Sequence, residues 1–224
     1  MTVLEKPVYK NVAASLDECN IVLGNHYSSN RVLVIIGTII FWIKTMALNI
    51  PEALLNLEAN CGVFALWMIF QQYGVEMDID ELVKISGHNY EDGTFTIALA
   101  VALKKYGFEV SFYSDVDPDI DPKEMRYYEI AQKMQLTFQP ALNYQQMQHI
   151  FKQGKLIIVY YDNLEGVGNQ SLVYSIDEQE ICFFDSFDPM PQMIFEQQRK
   201  VDGICQQTIV IEGQDLQLQS IKLN

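Results

Sequence analysis

Histidine is scarce in this chain, with three in 224 residues: His26, His88 and His149. Few candidates therefore exist for a neutral-pH base. The four cysteines, Cys19, Cys61, Cys182 and Cys205, are widely separated and contain no Cys-x-x-Cys pair. That spacing excludes zinc-ribbon and thioredoxin-like readings, and without a dense disulfide framework a reducing, cytoplasmic compartment is expected. Positive charge is in deficit: 15 Lys and Arg face 29 Asp and Glu, for a net charge of −14. Nucleic acid is excluded as a non-specific partner, because its binding needs a positive surface. The longest apolar run, Val32–Ile43, lies between Arg31 and Lys44 and falls short of the ~20 residues that span a bilayer. It reads as a buried strand or helix, a partner-binding element or an anchor. The first thirty residues lack the continuous apolar core of a signal peptide. No glycine-rich loop ends in Lys-Ser/Thr, so no ATP-driven segment is expected. Neither a metal nor a cofactor is expected. The alternating acids Asp115–Asp121 fail as a calcium loop, since Ile120 stands where a sharp turn needs Gly and Arg126 where a bidentate Glu is needed. They read instead as a solvated turn, with Asp121 capping a helix, Pro122 at its first position and Glu124 completing a capping box.

What remains is a globular composition, 49% hydrophobic and 20% charged, in a chain long enough to bury a core. Its centre is the stretch Leu54–Phe70. After Gly62, the residues Ala65, Leu66, Ile69, Phe70 and Tyr73 recur at helical spacing, so a core-facing helix is expected from Cys61 to about Tyr73. Asn60 suits its N-cap and Gly74 its terminator. A thiol at a helix start feels the positive end of the helix dipole, which lowers its pKa. Cys61 is thus either a presented nucleophile or a small apolar residue filling space.

The main domain is expected from about Met46 to the C-terminus, with residues 1–45 an extension of unknown role. Pro51 opens a short helix, 51–57. A helix follows at 78–85, then a loop with His88 and Asp92-Gly93, and then a helix capped by Thr94 that runs to Tyr106. Strands are expected at 108–113, 156–161, 171–176, 180–184 and 208–211, and helices near 122–135, 143–153 and 195–201. Helices first and an antiparallel sheet afterwards give an α+β fold.

The order of these pieces resembles the papain-like peptidase domain of bacteriocin-processing transporters, which cut leader peptides after a double glycine. The resemblance rests on Leu54–Phe70, Asp92-Gly-Thr94 opening a helix to Tyr106-Gly-Phe108, the strand Gly154–Val159, and the hairpin ending Phe183-Phe-Asp185 with Asp188-Pro189 nearby. It covers about Met46 to Ile211 and implies a papain-like fold, with the Cys61 helix packed on an antiparallel sheet. Carried over, Cys61 matches the nucleophile and Asp185 the orienting carboxylate. Asn56 falls one residue nearer the Cys than the family's oxyanion-hole Gln. The departure is the base: where the family has His, at the start of the 171–176 strand, this chain reads Gly168-Asn-Gln170. Gln170, or Asn169, stands in its place. An amide can hydrogen-bond a thiol, but it cannot take a proton and return it to a leaving amine. His149 reads as solvated, His88 as an exposed or capping residue, and His26 lies outside the resemblance.

The resemblance implies a cysteine peptidase if some base completes the site. The alternatives are a silent pseudo-peptidase that binds peptide and a thiol acyl-transfer or redox protein. The expected partner is a peptide or protein, basic or Gly-rich, with association to a membrane transporter implied by the family. The sequence leaves the oligomeric state open.

Overall fold

The computed structural model describes residues 50–163, 166–186 and 189–212. Val32–Ile43, His26, Cys19 and the boundary expected near Met46 lie outside these. The chain divides into two compact units, Met1–Asn56 and Leu57–Asn224. The described part of the first is the single-turn helix α1 (Glu52–Leu55), preceded by Pro51 and closed by Asn56, whose backbone N–H bonds Glu52 O.

In the second unit the helix α2 (Cys61–Gln72) is buried at every position from Gly62 to Phe70. The sequence suggested one apolar stripe. A helix apolar all round is instead a central one, covered on every side. It ends through Tyr73 into Gly74, whose φ of +68° suits a residue without a Cβ. Helix α3 (Ile79–Ser86) starts on Asp78, whose side chain accepts from Asp80 N. Helix α4 (Thr96–Lys105) follows Phe95, not Thr94 as expected; the Thr94 side chain and carbonyl are engaged elsewhere. Helix α5 (Pro122–Lys133) begins as read, with Asp121 accepting from Lys123 N. Glu124, however, does not close a capping box, because it is buried and accepts from Gln207 Nε2 at 3.2 Å. Helix α6 (Tyr144–Lys152) carries a full capping box between Asn143 and Gln146, a signal present in the sequence. Helix α7 is Gln192–Gln198.

The strands are β1 (Val110–Ser114), β2 (Thr137–Pro140), β3 (Leu156–Asp162), β4 (Gly168–Ile176), β5 (Glu180–Phe183), β6 (Met190–Pro191) and β7 (Thr208–Ile211). They form one sheet in the order β2-β1-β7-β3-β4-β5-β6. The last strand lies in its middle: Ile209 pairs with Phe112 of β1 on one side and Ile158 of β3 on the other. Most pairings are antiparallel, as expected, but β1 and β2 run parallel. The exposed, proline-terminated β2 edge was not legible as a strand.

Strand alternation divides the sheet into two buried faces. On one, Ile157, Val159, Tyr161, Val173, Phe183 and Val210 pack with Tyr144 and Met147 of α6 and Phe195 of α7. On the other, the intervening Ile158, Leu172 and Ile209, each 2% exposed or less, turn towards the layer of α2 and α4, which meet β4, β1 and β7. The fold is α+β, with the Cys61 helix packed on the sheet. The buried cation Arg199, just after α7, ties the α6–α7 face together. Its guanidinium donates to Leu142 O at 2.8 Å and Thr208 Oγ1 at 2.7 Å, and also to Gln206 O.

Candidate active site

Cys61 opens α2 after a tight turn in which Ala59 takes a φ of +49°. Asn60 is helical (φ −78°, ψ −3°) and its side chain makes no cap bond, so the expected N-cap is not formed. The Cys61 Sγ donates to Gln170 Oε1 at 3.0 Å. Gln170, 5% exposed on β4, donates from Nε2 to Thr94 O at 2.7 Å and Thr96 Oγ1 at 3.4 Å. A carbonyl can only accept, so the amide nitrogen must face Thr94 and the amide oxygen must face sulfur. Both ends of the side chain are therefore committed.

Gly62 makes this approach feasible. A Cβ there would sit 3.0 Å from Thr94 Cβ and 3.2 Å from Gln170 Oε1. The Cys-Gly step thus sets the packing distance between helix and strand. Tyr160 lies directly across from Gln170 in the β3–β4 ladder, and its hydroxyl fills the space a side chain at Gly168 would need.

Asp185 follows β5 and holds the neighbours of Gln170 instead of Gln170 itself. It accepts from Ser171 Oγ at 2.7 Å and Asn169 Nδ2 at 3.2 Å. Asn169 also donates to Tyr161 Oη at 2.8 Å and Ser171 Oγ at 2.9 Å. Residues 169 and 171 point to the face opposite 170. The structure therefore brings Cys61 and Gln170 together and places Asp185 in a buried network through the sheet from them. Burial pushes the Asp185 carboxyl above its ordinary value, against the lowering pull of Ser171 and Asn169.

Electrostatics at Cys61 run contrary to the sequence expectation. Cys61 is partly exposed as a residue, but protein atoms crowd its sulfur, and burial raises the thiol from 9.0 to about 11. The hydrogen bond to Gln170 opposes that rise, while the Asp185 charge adds to it. Desolvation and a nearby carboxylate outweigh the helix terminus, so the group is a thiol at neutral pH.

Neither of the two described histidines, His88 and His149, bonds the Cys61 sulfur. His88 bonds Thr94 Oγ1 through Nδ1 at 3.1 Å, which places Thr94 and Gln170 between it and the sulfur. Burial lowers its pKa. His149 is exposed on α6, its Nε2 2.9 Å from Gln153 Nε2, in the layer across the sheet from α2. Asn56, in the first unit, closes α1. Sequence reasoning missed Thr94 as the anchor of Gln170. The signal was available, since a helix starting at Thr96 frees Thr94 for other bonds.

Residues 53–138 match the Peptidase C39 family. The matched segment runs from α1 through β2 and contains Cys61, Gly62 and Thr94; Gln170 and Asp185 lie beyond it. The peptidase domain of Streptococcus ComA, a bifunctional ABC transporter of a quorum-sensing pathway, is a similar solved structure at 21% identity and a TM-score of 0.42, covering 69% of this chain and 91% of that one. No curated protein matches. Among the described residues no helix is long and apolar enough to cross a membrane.

Proposed function

We propose that this domain binds a peptide at the Cys61 face of a papain-like peptidase fold without hydrolysing it. One observation carries the reading: the atom set against the Cys61 sulfur is the amide oxygen of Gln170, at 3.0 Å. A peptidase of this type needs a base there that takes the thiol proton and delivers it to the departing amine. An amide oxygen has no such proton chemistry near neutral pH, and the help forgone is worth ~10²–10⁴ in rate. The raised thiol pKa points the same way, and it also disfavours acyl-transfer or redox use of Cys61, both of which need a thiolate. The partner is a peptide, basic or Gly-rich, as the net charge of −14 favours. A membrane transporter is the proposed associate and the cytoplasm the proposed compartment.

The test restores the base. The wild type is expected to leave basic and double-glycine peptides intact while binding them. Gln170→His places an imidazole beside the sulfur with Thr94 O available to its other nitrogen, and should raise hydrolysis of the same peptides. Cleavage by the wild type that vanishes in Cys61→Ala would refute the silent reading. Failure of the folded wild type to bind any such peptide would refute the peptide reading.

A further inference from the structure

Across the sheet from Cys61 lies a second site that the peptidase reading does not use. Helix α6 lines it with Tyr144, Gln148 and Lys152, one helical turn apart, and Glu178 of the β4–β5 turn and Gln192 of α7 complete the wall. Its volume is about 380 Å³, within the range of ligand sites. Tyr144 is 2% exposed, and its ring packs edge-on against Phe195 with centroids 6.1 Å apart. Among the described residues its hydroxyl nevertheless has no hydrogen-bond partner, and neither does the buried Nε2 of Gln148. Buried polar groups in native folds are almost always satisfied, so two orphans lining one cavity point to an occupant that satisfies them.

The charges around the cavity say what kind. Burial holds the Tyr144 pKa above its ordinary value, and the charges of Asp177, Glu180 and Glu196 add to that rise. Glu178 is the carboxylate on the wall itself and forms no ion pair among the described residues. Lys152 is the one lysine or arginine of the lining, and its chain is exposed on the rim. The interior is acceptor-rich: a phenol oxygen, a carboxylate and the side-chain amides of Gln148 and Gln192. Nothing accepts from Gln148 Nε2, so its amide is free to turn its oxygen inward.

We infer that this cavity binds an organic cation, a primary ammonium or guanidinium on a short alkyl stem. Its N–H groups bond Tyr144 Oη and Gln148, its charge faces Glu178, and its stem lies along the Tyr144 ring. Either the side chain of a basic peptide or a free small amine carries this chemistry.

The test titrates the full chain, labelled with ¹⁵N, with butylguanidinium, butylammonium and neutral butyramide. Saturable amide shifts confined to residues 144–152, 177–180 and 192 are expected with the two cations and not with butyramide. Tyr144→Phe keeps the packing on Phe195, and Glu178→Gln changes an exposed turn; each should weaken binding about fivefold or more. No saturable shift up to about 50 mM cation, an equal response to butyramide, or binding unchanged in both variants would overturn the assignment. A blocked tripeptide with a central Lys distinguishes the sources: tighter binding than butylammonium marks a peptide side chain, and weaker binding a free amine. Because the site is across the sheet from Cys61, a silent or an active Cys61 leaves this result unaffected.

Discussion

Alkylation of Cys61 tests the electrostatic account most directly. At pH 7.5 a thiol of pKa 9.0 is about 3% thiolate, whereas one at about 11 is about 0.03%, a ~100-fold loss of reactive species. Two effects set that figure: burial of the sulfur and the Asp185 charge both disfavour the anion, and the hydrogen bond to Gln170 only partly offsets them. The rate of carboxamidomethylation by iodoacetamide, followed by intact mass between pH 6 and 10.5, should rise throughout with no plateau below pH 10. The Cys61→Ser variant supplies the background from the other three cysteines, of which Cys205 is also raised to about 11 by burial and neighbouring acids. Gln170→His should move the inflection downward, because an imidazolium at that position stabilises the thiolate. An inflection in the wild type at or below ~8.5 would refute the account, because it would mean that the helix terminus outweighs desolvation.

Three further outcomes follow from the same geometry. Gly62→Ala should destabilise the fold by about 1–3 kcal/mol in urea denaturation, because its Cβ would crowd Thr94 and Gln170; a neutral result would mean the helix and strand separate freely. Asp185→Asn should be more stable than wild type at pH 7. The folded-state carboxyl is raised above its ordinary value, so the favourable neutral form is fully present below the ordinary carboxylate range and lost as pH rises through the folded value. The gain should therefore vanish in acid, and a loss at pH 7 would show that the ionised carboxylate supports the network. Arg199→Met should cost about 1–3 kcal/mol for each acceptor it strands, among them Leu142 O and Thr208 Oγ1; retained thermal stability would contradict that count.

The local chemistry of this chain is legible in its residues. Helical spacing after Cys61, acids before Pro122, and the strand–turn–strand pattern around Asp177 fix elements that the fold keeps to within a few residues. So does the absence of histidine at 169–170, which no tertiary arrangement reverses. The sequence missed features whose cause lies far away in the chain. Strand β2 forms because β1 offers an edge, and β7 becomes central because the edges of β1 and β3 both pair with it. The helix N-terminus predicts an acidic thiol, yet its pKa depends on the density of atoms around the sulfur, which comes from β4 and the Thr94 loop. The resemblance makes Asp185 the orienting carboxylate for the residue in the place of the base, Gln170 or Asn169. Alternation along β4 sends Asp185 to 169 and 171, because a one-residue step on a strand changes the face.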